Sequence, residues 1–324
     1  MALPIVAQTD VAMVFPGQGS QFVGMGRRLY EDSAAARLVF DQADAALRMP
    51  LSRLCFDGPA AELDDTHNAQ PAILTVSAAT LAAIRERAQA AGHRVAPLVV
   101  AGHSLGEYTA LVAAGVLDFT TALRLVRERG RLMKQAGEEH PGGMAAVIGL
   151  DDDELAEVCA QAAREGVIGV ANANCPGQTV ISGEIGALLR AMELAKERGA
   201  KRVARLGISI ASHSPLMARA SSQLGDLIAK LPLRPPRIPI VGNVTGLAIT
   251  TTEGIRHELA HHVERPVNWT RSVREMIDAG AGTFVEVGPG QVLSGLIKRI
   301  SRDVTTHGVG DLGLGLPAGD ERGA

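Results

Sequence analysis

The stretch Ala96-Pro97-Leu98-Val99-Val100-Ala101-Gly102-His103-Ser104-Leu105-Gly106 runs a short apolar segment straight into a Gly-x-Ser-x-Gly pattern. The apolar run has the length of a buried strand, and Leu105 to Ala114 downstream reads as a helix. A strand entering a helix through a sharp turn holds the central serine strained and exposed, with its hydroxyl free to attack. The backbone N–H of Leu105 can then help bind an oxyanion. Glycines suit both ends, because a Cβ there would clash with the neighbouring strand and helix. In a glycine-rich chain the same five residues can also be a plain surface turn. The strand–turn–helix context is what makes Ser104 the candidate nucleophile.

Upstream, Val11-Ala12-Met13-Val14-Phe15 is a first strand, ending at Pro16-Gly17-Gln18-Gly19. Helical periodicity occupies Ala34 to Leu47 and Ala72 to Ala90, and a further helix runs from Thr120 through Lys134. Strands alternating with such helices predict an α/β domain with a parallel sheet. After Pro141-Gly142-Gly143 the pattern changes. Met144–Ile148, Val167–Ala173, Thr179–Ser182 and Lys201–Leu206 read as strands, with Asn174-Cys175-Pro176-Gly177 as a turn. Helices begin at Asp151 and Glu184, giving the order β-α-β-β-α-β, a ferredoxin-like split motif. The chain is therefore expected to hold a small domain at 141–207 inserted into a larger one at 1–140 and 208–303. The larger part resumes with a helix at Ser214–Leu231, a strand at Ile238–Val241, a helix at Val273–Ala279 and a strand at Thr283–Val287. Val292–Ser301 is helical, and residues 304–324 read as a flexible tail.

A chain of 324 residues can bury a large core. Its 46% hydrophobic and 21% charged residues are those of a soluble globular protein. A net charge of −3 and 3% aromatics give no basis for nucleic-acid binding, by phosphate attraction or by base stacking. No apolar run approaches the roughly 18 residues of a membrane span. The first ten residues lack a secretory pattern, so a cytoplasmic location is expected. Cys55, Cys159 and Cys175 are too few and too scattered for a disulfide framework or a zinc site, and no cofactor is expected.

A serine nucleophile needs a base, and histidine is the usual one. Of the nine histidines, His103 adjoins Ser104 but leaves the turn in another direction, and is expected to pack beneath it. His67, His93, His140 and His307 sit in polar or loop-like surroundings. His257, His261 and His262 share one short helix, where surface positions predominate. His213, in Ile210-Ala211-Ser212-His213-Ser214-Pro215, stands at the exit from the small domain, a candidate base although loop histidines are ordinarily inert. Arg129 lies on the helix after the elbow helix; turned inward, its planar fork suits a carboxylate. The Gly17-Gln18-Gly19 turn is neither a dinucleotide nor a Walker phosphate loop, and its N–H groups could serve the oxyanion instead.

Together these pieces resemble the malonyl-CoA:acyl-carrier-protein transacylase family, which is related to the acyltransferase domains of polyketide synthases. The match runs from about Val11 to Ile300. It rests on Phe15-Pro16-Gly17-Gln18-Gly19-Ser20-Gln21, Gln70-Pro71-Ala72, Gly102-His103-Ser104-Leu105-Gly106-Glu107-Tyr108, Arg129-Gly130, Ser212-His213 and Glu286-Val287-Gly288-Pro289-Gly290. The resemblance implies an α/β-hydrolase-like large domain with an inserted ferredoxin-like domain. It implies Ser104 as nucleophile, His213 as base, the N–H groups of Gln18 and Leu105 as oxyanion hole, and Arg129 as holder of the malonyl carboxylate. A backbone carbonyl, placed near His262 by counting back from Pro266, would orient His213; Gln70 and Asn174 match pocket positions. Malonyl-CoA and a phosphopantetheinylated acyl carrier protein are the implied partners of a monomeric enzyme serving fatty-acid or polyketide synthesis. A serine esterase or thioesterase shares the elbow, and the malonyl-transferring subunit of malonate decarboxylase shares the family; both stay open here.

Overall fold

β1 (Val11–Phe15) is buried along its whole length, as a strand covered on both faces must be. Val11, Met13 and Phe15 join an apolar cluster with Phe40, Ile73 and Tyr108, while Ala12 and Val14 join another with Trp269, Val273 and Leu293. Helices therefore cover the sheet on both sides. The computed structural model describes residues 9–308; residues 1–8 and the part of the expected tail beyond 308 lie outside the described residues.

β2 (Val99–Gly102) lies beside β1, and the elbow follows it directly. β3 (Gly142–Ile148), β4 (Ile168–Cys175), β5 (Gln178–Glu184) and β6 (Arg202–Arg205) form a sheet of their own. β7 (Ile240–Val241), β8 (Ala248–Ile249), β9 (Thr283–Glu286) and β10 (Thr305–His307) return to the first. The large sheet has the order β10-β9-β1-β2-β7-β8, parallel from β10 to β7 with an antiparallel edge at β8. The small sheet is antiparallel in the order β4-β5-β3-β6, the ferredoxin-like arrangement. Its helices Asp152–Ala162 and Ile185–Glu197 pack on one face through Leu155, Val158, Leu188 and Ala191. The first of them opens with a capping box between Asp151 and Glu154, which satisfies two otherwise orphaned N–H groups. β4 is bonded to the segment before the Trp269–Asp278 helix, outside the large sheet: the Val267 N–H donates to the Ala171 carbonyl at 2.8 Å, and the Ala173 N–H to the Val267 carbonyl at 2.9 Å.

Three features depart from the sequence expectation. The helix expected at Ala72 starts at Thr66 and runs to Ala90, capped by the Asp65 side chain on the His67 N–H, with Pro71 inside it. Pro71 lies in the second turn, where its ring leaves the His67 carbonyl without the usual N–H partner, yet the helix runs on through it. β4 continues through Asn174 and Cys175, the first half of the expected turn, and only Pro176 and Gly177 link it to β5. The tail does not begin at 304: Val304 packs on the second core cluster and Thr305–His307 pairs parallel with β9. A three-residue edge strand is too short to show an alternation. Among the described residues no helix is long and apolar enough to cross a membrane.

Candidate active site

The elbow glycines do what sterics demand. A Cβ on Gly102 would stand 1.9 Å from the Gly106 carbonyl carbon, and one on Gly106 would stand 2.0 Å from the Phe15 oxygen. Gly17 presses equally close, 2.4 Å from its would-be Cβ to the His103 oxygen, which seats the Gln18 loop against the elbow. Ser104 sits at φ +48°, in the left-handed region that a non-glycine residue enters only where its surroundings force it. His213 is held the same way, at φ +58°.

These two residues, 109 positions apart, meet: Ser104 Oγ lies 2.8 Å from His213 Nε2. The other ring nitrogen, Nδ1, is 3.0 Å from the Arg265 carbonyl oxygen. A carbonyl only accepts, so Nδ1 carries the proton and Nε2 faces the serine with its lone pair. The acceptor is thus three residues beyond His262, where counting had placed it; the chain curls after the helix Thr252–His261, and such a count cannot follow the curl. Burial, the His262 ring and the Arg129 cation hold His213 well below the ordinary imidazole value, so it is neutral and able to accept a proton at pH 7.

Arg129 is fully buried and does point inward. Nη2 donates to Ser104 Oγ at 3.1 Å and Nη1 to Gln70 Oε1 at 2.7 Å, while buried Nε has no acceptor. No carboxylate is hydrogen-bonded to this guanidinium among the described residues. Gln70 is itself held by Thr66 Oγ1 at 3.1 Å, and Thr66 donates to Gln18 Oε1 at 2.8 Å. The early turn of the Thr66–Ala90 helix is therefore what links the Gln18 loop to Arg129. The backbone N–H groups of Gln18 and Leu105 have no acceptor among the described residues, whereas the Ser104 N–H is taken by Asn243 Oδ1 at 2.7 Å. His103 lies beneath the elbow with Nε2 2.8 Å from Asn174 Oδ1, so Asn174 is engaged there. A cleft of about 440 Å³, lined by Gln18, Thr66, Lys134, Arg205 and Ile210, reaches the site at Gln18 and Thr66.

Sequence reasoning missed Glu107, Thr66, Asn243 and the Arg265 carbonyl. Glu107 carried a signal: it is the one charged residue in the apolar elbow helix and is 1% exposed, so it had to be partnered. Its Oε2 accepts the Asn243 backbone N–H at 3.0 Å and also the Asn243 side-chain amide. Asn243 sits just past β7, at the carboxyl end of a parallel strand, where α/β sheets gather their site residues. Thr66 and the Arg265 carbonyl had no signal of their own.

A strained serine on such a sheet, paired with a neutral histidine and flanked by free amides, is an arrangement for covalent acyl transfer. A family model described as acyl transferase domain matches residues 12–309, and the chain belongs to this family. It is 44% identical over 304 residues to the malonyl CoA-acyl carrier protein transacylase of Bacillus subtilis (strain 168), covering 94% of each chain. It is similar to the crystal structure of an acyl carrier protein S-malonyltransferase from Vibrio cholerae, with TM-score 0.87, 42% identity, and 93% and 96% of the two chains covered. A malonyl-transacylase in complex with its type II PKS acyl-carrier protein gives TM-score 0.89 at 40% identity, covering 94% and 97%.

Proposed function

We propose that this chain transfers the malonyl group from malonyl-CoA to the phosphopantetheine thiol of an acyl carrier protein, through an ester on Ser104. The relatives named above support the substrate and carrier, and they fit either fatty-acid or polyketide synthesis. The observation that carries the choice of acyl group is Arg129, a buried cation 3.1 Å from the nucleophile with an unfilled Nε and no bound carboxylate. A buried cation of this kind is costly unless something anionic arrives, and the free carboxylate of malonyl is such a group.

In the first half-reaction Ser104 Oγ gives its proton to His213 Nε2 and forms a bond to the thioester carbonyl carbon. The N–H groups of Gln18 and Leu105 receive the oxyanion. The carbon–sulfur bond then breaks, and coenzyme A leaves with the proton from His213. The carrier thiol repeats the steps in reverse, with His213 again as base. Gln70 steadies Arg129, Asn174 steadies His103 under the elbow, and we take the chain to act as a monomer. Residues 141–207 form the inserted domain between the two described parts of the catalytic one, 9–140 and 208–303. We place the reaction in the cytoplasm.

The test is to weigh the intact protein after mixing with malonyl-CoA or acetyl-CoA. Malonyl-CoA is expected to add one malonyl group, and Arg129→Ala to lower malonyl transfer far more than acetyl transfer. Truncating one partner of a buried charge pair costs about 2–5 kcal/mol, or tens- to thousands-fold in rate. Equal losses for both substrates would make Arg129 structural.

A further inference from the structure

Beneath Arg129 lies a second buried set of titratable groups that the acyl-transfer steps do not use. Arg129 Nη2 is 3.4 Å from His262 Nδ1, and His262 Nε2 is 3.3 Å from Glu107 Oε2, though not aligned as a hydrogen bond. His262 is fully buried. Arginine has donors only, so Nδ1 must offer its lone pair, and the single ring proton is left on Nε2, beside the Glu107 carboxyl group. Burial, with the Arg129 cation, holds His262 down to about 3, so the ring is neutral throughout the working range. Burial pushes Glu107 up to about 8, and pushes Glu258, which lies behind it, up to about 7.

The ring is boxed in. Tyr108 stands perpendicular to it with centroids 5.4 Å apart, and the same Tyr108 ring is 5.5 Å from the Arg129 guanidinium carbon. The Glu107 carboxylate is fixed in turn by Asn243, whose Oδ1 holds the Ser104 N–H. Arg129 is thus tied to the elbow by two routes: directly through Ser104 Oγ, and around through His262, Glu107 and Asn243. Its acceptors Ser104, Gln70 and His262 are all neutral. They fix the plane of the fork without cancelling its charge, so an arriving carboxylate meets an oriented cation with no bonded counter-ion.

The geometry points to His262, oriented by Glu107, as a positioning residue that sets the roll of the Arg129 guanidinium and thereby the preference for carboxylated over uncharged acyl groups. This rests on Arg129 holding the malonyl carboxylate. The readout is the ratio of kcat/KM for malonyl-CoA to that for acetyl-CoA, measured as formation of the acyl-enzyme. His262→Met fills the space without a strong acceptor and is expected to lower the ratio about tenfold, the scale of one hydrogen bond to a charged group. His262→Asn puts a neutral amide oxygen near the Nδ1 position and is expected to keep the ratio within about threefold of the parent, a third of that effect. Glu107→Gln keeps the shape but exchanges the carboxyl group beside Nε2 for an amide, and is expected to lower the ratio severalfold.

A role in stability alone moves both substrates together and leaves the ratio fixed. An unchanged ratio in His262→Met, or an equal fall in His262→Met and His262→Asn, overturns the proposal. Should His262→Met not fold, Glu107→Gln decides: an unchanged ratio there overturns it and a fall supports it. Arg129→Ala separates the two layers. If that variant leaves the ratio intact, the carboxylate reading has failed; if it lowers the ratio and neither His262→Met nor Glu107→Gln does, only the positioning role has.

Discussion

The elbow at Gly102–Gly106 and the return segment at Ile210–Pro215 solve one problem by opposite means. Each holds a non-glycine residue at positive φ with its side chain aimed at the other. The elbow is built by subtraction: glycines at 17, 102 and 106 let backbone touch backbone where a single methyl could not fit. The return segment is built by attachment. The His213 N–H donates to the Val263 carbonyl at 2.9 Å and its Nδ1 to the Arg265 carbonyl, both about fifty residues on. Steric constraints write themselves into residue types, whereas bonds to the main chain leave the side chains of their acceptors free. The nucleophile should therefore be fragile to substitution nearby, and the orienting contact on the base indifferent to it.

The largest effects test whether the two ends act as one unit. Ser104→Ala and His213→Ala should each lower malonyl transfer by about 10⁴-fold, and the double variant by little more, because residues acting together are grossly non-additive. Additive losses in transient kinetics would break the pairing. Next is the elbow alone: Gly102→Ala should cost about 3 kcal/mol of stability in a denaturant melt, the upper end of overpacking costs, because the new methyl meets fixed backbone. A variant as stable as the parent would show that the turn is not sterically locked.

The pH profile probes the attached side. With His213 held well below the usual imidazole value of about 6.5, acylation should stay on its plateau as pH falls through 6.5 and decline only in more acid solution. An acid limb at or above 6.5 would mean that the histidine is not desolvated as the structure has it. The smallest effect is the sharpest contrast: Arg265→Ala should change the acylation rate less than about threefold, within the ±0.5 kcal/mol usual for surface changes. Its carbonyl survives the substitution and its side chain is exposed. A large loss would show that the base depends on a side chain after all.

The same division explains what could be read from the sequence. The alternation of strands and helices, the inserted β-α-β-β-α-β unit and the glycine-framed Ser104 are local patterns, and the sheets follow them closely. His213 and Arg129 could be named as candidates by residue type, but only folding brings them to Ser104. Glu107 and Asn243 stand 136 positions apart and meet because β2 and β7 are neighbours in the sheet, an adjacency no local window contains. Thr66 was hidden by Pro71, which masked the true start of its helix. The Arg265 carbonyl was hidden completely, since every residue has one.

A main-chain carbonyl behind a histidine differs from a carboxylate in one chemical respect: it is a dipole and brings no negative charge to balance an imidazolium. Protonated His213 would stand buried, with the cation of Arg129 for company and only the Arg265 oxygen to soothe it. Such an imidazolium is a strong acid, well matched to surrender its proton to a departing sulfur whose thiol has an ordinary pKa of about 8.5. Proton storage at this ring is brief by construction. The ester on Ser104 is then left facing an uncharged ring with its lone pair restored, ready to draw the proton from the incoming thiol.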